Sequence, residues 1–530
     1  MKKKEKEEKQ IRILLVYPRS KVTNYSDIGR EVVFLTKKPG GLLNASLATL
    51  AALTPGRFDL RIVNENLEPV PFDEKWDIVG ITGYISHFYR ARKIAMEFLR
   101  RGVAVVCGGP SVSLSPERWR PFATTLIIGE AERTWPQFLK DFCENNIKKE
   151  YRETERFDLS ISPVPDFSAF PKSLRKKYLG GIVQTSRGCP FNCEFCDVVH
   201  FMGRKKRYKP IDTILKELDG MAKMGQTRSI LLADDNFSAD ADKAKEILRA
   251  LRDWNRARSR KVPFITMVSI DIAQDDEFLR LAAEAGLTRI FVGIETPNTE
   301  SLQESRKFHN IGRNIMEDIR NFYRHGILLL GGCMVGFDHD DISIFKRQFD
   351  FFMESGIPGV HALPVQAADG TQLKERMIRE GRYIDWEKKG NPGEHEINEL
   401  NTLTFVPKQM TLDQLREGSY WLLWELYKPG NFVKRFEIFF ECFEKSDKKA
   451  GLAIPKTYID LEGIGIVVRI LKYLLFRATK EERWAFKKMY EIARRSSHPQ
   501  RYGIFIENFL TLKNTTCILM KECPQRSRDY

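Results

Sequence analysis

Two separate stretches of the chain carry short runs of aliphatic and β-branched residues, each followed by residues that place apolar groups at helical spacing. In the first stretch the strand-like runs are Ile11–Tyr17, Asp59–Val63, Asp77–Thr82, Val103–Cys107 and Thr125–Ile128. Helical segments such as Leu42–Leu53 and Tyr89–Arg101 lie between them. This alternation predicts a five-stranded, doubly wound, Rossmann-like α/β unit, whose ligands sit at the carboxyl ends of the strands. Cys143 to Leu179 is polar and contains Pro and Phe, and reads as a connector.

A second βα alternation starts at Gly180. Its strands are predicted at Gly181–Thr185, Ser229–Ala233, Phe264–Ile270, Arg289–Ile294, Ile327–Val335 and Gly359–Val365, with helices such as Ile211–Met224, Ala241–Arg256 and Asp276–Ala285 in the gaps. Six repeats are too few to close an eight-stranded barrel, so an open, partial (βα)6 TIM-like barrel is expected. Strand signals stop near Tyr383, and Leu412–Tyr427, Asn431–Cys442, Leu461–Phe476 and Lys480–Arg495 read as an α-helical C-terminal extension. The expected division is a charged tail (1–10), an α/β domain (11–145), a linker (146–179), a barrel (180–385) and a helical domain (386–530).

Composition narrows the functional classes only a little. The chain of 530 residues is 42% hydrophobic and 30% charged, with a formal net charge of +15. Lys and Arg are spread along it rather than gathered into a block, and no nucleic-acid-binding motif is present, so no nucleic-acid partner is expected. Met1 to Gln10 is a Lys/Glu run without an apolar core, and no apolar run reaches the ~18 residues of a membrane span. Gly463 to Phe476 comes nearest but contains Arg469 and Lys472. A cytoplasmic protein is expected, with peripheral membrane contact left open. Nine cysteines do not form a secreted disulfide framework.

Three of those cysteines fall in one segment, Thr185-Ser-Arg-Gly-Cys189-Pro-Phe-Asn-Cys193-Glu-Phe-Cys196, directly after the first predicted barrel strand. Thiolates at C-x3-C-x2-C spacing on one loop can hold three irons of a 4Fe–4S cubane and leave the fourth iron open. A zinc site with His200 as fourth ligand is the alternative, although structural zinc usually pairs one C-x2-C with a distant second pair. Asp234, Asn236, Ser269 and Glu295 fall where the second, third and fourth barrel strands end. That rim is catalytic in such barrels, though a carboxylate there can equally be a helix N-cap.

C-x3-C-x-aromatic-C after a barrel's first strand resembles the signature of the radical S-adenosylmethionine (SAM) superfamily, with Phe195 at the aromatic position. Ala233-Asp-Asp-Asn-Phe237 and Phe291-Val-Gly-Ile-Glu-Thr-Pro297 resemble its SAM-contacting segments. The resemblance implies a 4Fe–4S cluster on Cys189, Cys193 and Cys196, and SAM contacts from Phe195, Asp234, Asn236, Ser269, Ile294 and Glu295.

The α/β domain ahead of the barrel, with Val79-Gly-Ile-Thr-Gly83, Cys107-Gly-Gly-Pro110 and Ile128-Gly-Glu-Ala-Glu132, resembles the cobalamin-binding branch of that superfamily. Gly83, Tyr84, His87, Gly108, Gly109, Pro110, Gly129 and Glu130 are then the implied cobalamin contacts. The D-x-H-x-x-G motif that supplies a cobalt ligand in many cobalamin proteins is absent after the first strand. His87 is the domain's one histidine, read as exposed or helix-capping rather than as a ligand.

Asn401–Lys408 and the helix after it resemble the subgroup of hopanoid C-2 methylase and bacteriochlorophyll side-chain methylases, although Ala368-Asp-Gly-Thr371 replaces that subgroup's P-G-T. The resemblance implies methylation of an unactivated carbon through a 5′-deoxyadenosyl radical and methylcobalamin. It also implies an electron donor such as flavodoxin or ferredoxin. The apolar Gly463–Phe476 and the Trp421/Trp424 pair point to an apolar small-molecule substrate, lipid or polycyclic. A non-methylating rearrangement or cyclisation, and a metal-binding sensor without turnover, stay open as alternatives.

Overall fold

The computed structural model describes residues 10–19, 35–385, 402–446, 461–498 and 500–522. The charged tail (Gln10 apart) and Asn401 lie outside the described residues. The chain forms two compact units, one built from the first strand and Leu43–Lys177, the other from Tyr178 onward together with the stretch ending at Leu42.

In the first unit six parallel strands, β1 (Arg12–Tyr17), β2 (Asp59–Asn64), β3 (Ile78–Thr82), β4 (Ala104–Gly108), β5 (Thr125–Ile128) and β6 (Glu150–Arg152), pair in the order β2-β1-β3-β4-β5-β6. Helices α1 (Ala45–Leu53), α2 (Phe88–Arg100) and α3 (Ala131–Cys143) connect them. β1 lies between two neighbours, and Ile13, Leu14, Leu15 and Val16 are all fully buried, as an unbroken apolar run in a parallel sheet should be. On α2 the residues Phe88, Ala91, Ile94, Ala95 and Phe98 share one buried face and pack with Val79, Val105 and Trp119. The strand order reverses between β1 and β3, which makes their carboxyl ends the topological switch point where such sheets bind ligands. Five strands were expected; the sixth, β6, lies in the predicted connector. Three residues with charged ends are too few to show a period of two.

The second unit holds β7 (Gly181–Val183), a two-stranded antiparallel hairpin of β8 (Ser186–Arg187) and β9 (Arg207–Tyr208), then β10 (Ile230–Leu232), β11 (Phe264–Val268), β12 (Leu287–Glu295), β13 (Leu328–Val335) and β14 (Gly359–Pro364). All but the hairpin form one parallel sheet in chain order, β7-β10-β11-β12-β13-β14, open at its two ends. Helices α4 (Ile211–Lys223), α5 (Ala241–Arg256), α6 (Asp276–Ala285), α7 (Ile315–Arg324) and α8 (Ile344–Ser355) are the crossovers, and α9 (Gln372–Arg379) follows the last strand.

The two faces of this sheet differ. A Cβ on Gly331 would meet the Phe352 ring of α8 at 2.9 Å, so Leu329, Gly331, Cys333 and Val335 face the helix layer. A Cβ on Gly332 would meet the Phe291 ring at 2.6 Å, so that ring lies over the opposite, inner face. Ile265, Met267, Phe291, Leu330, Met334 and Leu363 on the inner face stay half-buried, while alternate residues such as Val268, Val292 and Val360 are buried.

The extension consists of α10 (Leu412–Tyr427), α11 (Pro429–Phe443), α12 (Leu461–Phe476), α13 (Lys480–Arg495) and α14 (Arg501–Glu522). Tyr427 on α10 exchanges hydrogen bonds with both backbone groups of Val360 at 2.9 Å. Arg435, fully buried, donates to the carbonyls of Ile357 (2.6 Å) and Pro358 (2.9 Å) and to that of Leu426. Helix α14 has no counterpart among the sequence expectations, because its buried face mixes Ile504, Phe509 and Leu512 with Asn508, Lys513 and Thr516. Among the described residues no helix is long and apolar enough to cross a membrane.

Candidate active site

The loop between β8 and β9 carries all three clustered cysteines. Asp234, at the end of β10, anchors its start: the carboxylate accepts the backbone N–H of Thr185 (2.7 Å) and Ser186 (3.0 Å) and both their hydroxyls. Asp235 accepts the Gly188 N–H at 2.7 Å, and burial pushes its carboxyl up to about 6. Gly188 stands at φ +94°, and a Cβ there would lie 2.7 Å from the Lys205 carbonyl, so only glycine fits the turn. Further along, the Cys189 N–H donates to the Gly203 carbonyl (3.2 Å) and that of Cys196 to the Cys193 carbonyl (3.1 Å).

Cys189, Cys193 and Cys196 are free thiols, and burial pushes all three up. They sense one another's charge: Cys189 acts on Cys193, and both act on Cys196. The ammonium groups of Lys206 and Lys307 oppose burial at Cys189, and Lys307 does so at Cys193. Among the described residues no three His, Cys, Asp or Glu side chains converge tightly enough for a single metal ion. A cubane asks something different, since each thiolate takes its own iron. Three neighbouring free thiols with two lysines beside them suit such an anionic, thiolate-bound group. His200 lies exposed in the short helix Val198–Phe201.

Polar residues line the strand ends next to this loop. The Asn236 amide donates to Ser269 Oγ at 3.2 Å, and Ser238 Oγ donates to Asn236 Oδ1 at 3.1 Å; all three residues are buried. Lys206 Nζ donates to the Asn236 carbonyl. Glu295 closes β12 at φ +65°, just past a register shift between Gly293 and Glu295. Its carbonyl accepts from Gln348 Nε2 (2.8 Å), its carboxylate from Lys307 Nζ (2.8 Å), and Asn310 Nδ2 holds the carbonyls of Gly293 (3.1 Å) and Ile294 (3.0 Å). Burial alone would lower the Lys307 ammonium, but Glu295 and Cys193 outweigh it and hold it up at about 12. Ile294 itself is fully buried, with its backbone rather than its side chain at the rim. Phe195 packs edge-on to Phe337, 6.2 Å between centroids, in a cluster with Leu373, Met377 and Phe405.

Sequence reasoning missed the clamp behind the loop. Glu194, between two of the cysteines, takes both prongs of the Arg376 guanidinium (2.7 and 2.9 Å). Arg376 also reaches Asp338 Oδ2 (2.6 Å) and Glu304 Oε1 (2.8 Å), and Arg382 pairs with Asp338. It missed Lys206 and Lys307 as well, although the basic run Arg204–Arg207 just past the cysteines was a usable signal.

In the first unit the predicted contacts gather at the carboxyl ends of β3, β4 and β5. Gly83 and Tyr84 follow β3, and the Tyr84 ring is exposed. Gly108 ends β4. Gly109 stands at φ +100°, where a Cβ would lie 2.6 Å from Thr82 Oγ1, and Pro110 opens the next turn of helix. His87 is buried rather than exposed, and it does cap: its Nδ1 accepts the Tyr84 N–H at 3.1 Å. Burial holds its ring down at about 4, so it is neutral, and the used Nδ1 lone pair leaves the proton on Nε2, which has no hydrogen-bond partner among the described residues. Past β5, Gly129 precedes Glu130, which stands at the N-cap of α3; Glu130 and Glu153 both accept the Phe157 N–H, at 3.1 and 3.0 Å. Burial and the neighbouring Glu130 push the Glu153 carboxyl up to about 7.

Residues 183–351 match the Radical SAM superfamily, and residues 371–514 match a Domain of unknown function (DUF4070). The uncharacterized methyltransferase sll1242 of Synechocystis sp. is 30% identical over 471 residues, covering 86% of this chain and 84% of its own. The hopanoid C-2 methylase of Rhodopseudomonas palustris is 28% identical over 432 residues, covering 80% of this chain and 79% of its own. A solved structure of the radical SAM methyltransferase TsrM from Kitasatospora setae, with cobalamin and a 4Fe–4S cluster bound, matches with a TM-score of 0.59 over 80% of this chain and 90% of that one. At 16% identity that likeness is one of fold. With a match to the radical SAM superfamily over the barrel and this cysteine loop after its first strand, the protein is a radical SAM enzyme, and its fold is that of the cobalamin-bound methyltransferase structure. It belongs to the family of the Synechocystis methyltransferase.

Proposed function

We propose that the protein methylates an unactivated carbon of an apolar, lipid-like or polycyclic substrate. The observation that carries the substrate class is the inner face of the barrel sheet, where Ile265, Met267, Phe291, Leu330, Met334 and Leu363 are apolar yet only half-buried. Side chains in a filled barrel interior would be buried like those of a core. The hopanoid C-2 methylase, by name, acts on such a substrate.

In this reading Cys189, Cys193 and Cys196 hold a 4Fe–4S cluster, and Gly83, Tyr84, Gly109, Gly129 and Glu130 border a cobalamin site. When bound, the cluster supplies the electron that cleaves SAM reductively, and cobalamin carries the methyl group. Asn236 and Ser269 present a fixed amide and hydroxyl to the SAM ribose. Glu295 accepts from the SAM amino group, with Lys307 holding its carboxylate in place. Asp234 spends its oxygens on Thr185 and Ser186, so it positions the cysteine loop rather than touching SAM. His87 lends the first unit a neutral wall and no lone pair for cobalt.

The test is anaerobic reconstitution with iron, sulfide and cobalamin, followed by dithionite and SAM in the presence of a lipid extract. Formation of 5′-deoxyadenosine and S-adenosylhomocysteine together, with a substrate heavier by one methyl, is expected. Cys193→Ala should lose iron and SAM cleavage and still bind cobalamin. 5′-Deoxyadenosine without S-adenosylhomocysteine would instead mean radical chemistry without methylation.

A further inference from the structure

Helix α12 buries one side and leaves the other to water. Ile466, Ile470, Tyr473 and Leu474 are buried, whereas Ile464, Val468, Leu471 and Leu475 recur at helical spacing and are all exposed. Leu475 and its neighbour Phe476 are 72% and 80% exposed. Single apolar residues on a surface need no explanation, but a stripe through three helical turns is a different matter.

The charges beside this stripe are mostly basic, and Glu462 at its start is paired with Lys38 and Arg228. From Lys472 to Arg495 every exposed charged side chain is basic except Glu481. On α13, Trp484 is 44% exposed, and Lys480, Lys487 and Lys488 stand one helical turn away on the same face. Exposed aliphatics flanked by basic residues, with an indole among lysines, match the interfacial layer of an anionic bilayer, where acyl boundary and phosphates lie within a few ångströms. A second copy of the chain fits less well, since a two-fold contact here would set these basic groups against each other.

We propose that the exposed face of α12 and α13 docks the protein on an anionic membrane surface. Leu471, Leu475 and Phe476 enter the acyl boundary, and the lysines of α13 meet lipid phosphates. The contact is peripheral, since no described helix is long and apolar enough to span. It depends on neither the cluster nor the methylation proposed above.

Flotation of the full-length protein with vesicles tests it, using phosphatidylcholine alone and phosphatidylcholine with about 30% phosphatidylglycerol. Flotation with the anionic vesicles only, weakened by high salt, is expected. The double variants Leu471→Asp/Leu475→Asp and Lys487→Glu/Lys488→Glu should each cut partitioning about tenfold. All four residues are exposed, so circular dichroism and SAM cleavage should stay unchanged. Vesicle-induced blue shift of fluorescence in the wild type, absent in Trp484→Phe, reads the same contact without perturbing the stripe. Equal flotation on neutral vesicles, or variants that float like the wild type, would overturn the proposal. A concentration-dependent dimer abolished by Leu475→Asp would assign the face to a second copy instead.

Discussion

Glu295 carries a side chain in the left-handed region, at φ +65°, a conformation that costs roughly 1–3 kcal/mol outside glycine. Gln348, Asn310 and Lys307 together hold it there. Its neighbour Gly293 has no room for more: a Cβ would sit 2.2 Å from Glu295 Oε1 and 3.0 Å from Lys307 Nζ. The carboxylate is the end of a movable side chain, so Gly293→Ala should fold and swing Glu295 off Lys307. In the proposed reading this loses one charge-assisted hydrogen bond to SAM, about 1.5 kcal/mol, so SAM affinity should fall about tenfold, and parting the buried Glu295–Lys307 pair should lower the melting temperature as well. Equilibrium binding of SAM and a thermal scan check the two halves. The cysteines and the strand-end polar residues were legible because their signal is local, a spacing or a position after an apolar run. The work of Asp234 was not, since its partners lie 49 and 48 residues earlier and no pattern around it names them.

At the scale of elements, the ends of β5 and β6 bring two carboxylates to one backbone N–H. Glu153 has a folded value of about 7 against an ordinary 4.5, raised by burial and by Glu130, with Arg156 at 3.1 Å opposing. The fold therefore prefers its protonated form. That contribution is complete below about pH 4.5 and is lost as pH rises through about 7. Thermal unfolding of the wild type should fall between pH 5 and pH 8 relative to Glu153→Gln, which keeps a donor toward Glu130 and does not titrate. Parallel curves for the two proteins would mean the pair does not share a proton. None of this was visible in sequence, because β6 is three residues long and stood within a stretch read as connector. Longer elements were legible almost to the residue: α5, α6, α10, α12 and α13 begin and end where apolar periodicity and capping residues say they should. Helix α14 escaped because buried Asn508 and Lys513 interrupt its stripe.

At the scale of the molecule, Arg376 ties the cysteine loop to the segment after the last barrel strand. It bonds Glu194, Asp338 and Glu304, whose side chains are at most 10% exposed. Arg376→Met would leave Glu194 without its cation, while Asp338 keeps Arg382 and Glu304 keeps His339, and should cost about 3 kcal/mol. Arg376→Lys keeps the charge but cannot fork, and should rescue stability in part. Both variants should retain less iron after reconstitution, measured per mole of protein beside a thermal scan. Iron content equal to the wild type in Arg376→Met would show that the clamp does not act on the loop.

The order of the barrel strands has a consequence for synthesis. Because β7, β10, β11, β12, β13 and β14 pair in chain order, a nascent chain can add each strand to the edge of the one before as it leaves the ribosome. The bond from Glu194 to Arg376 spans 182 residues, so it is among the last to form. Until then the cysteine loop is shaped by its own hairpin and the β10 aspartates, and then by Ser305, which accepts the Glu194 N–H, and by His309, stacked on Phe191. The loop is thus held by local contacts first and locked late, and in the proposed reading that order leaves a window in translation for iron and sulfide to reach thiols that the finished protein keeps half-buried or buried.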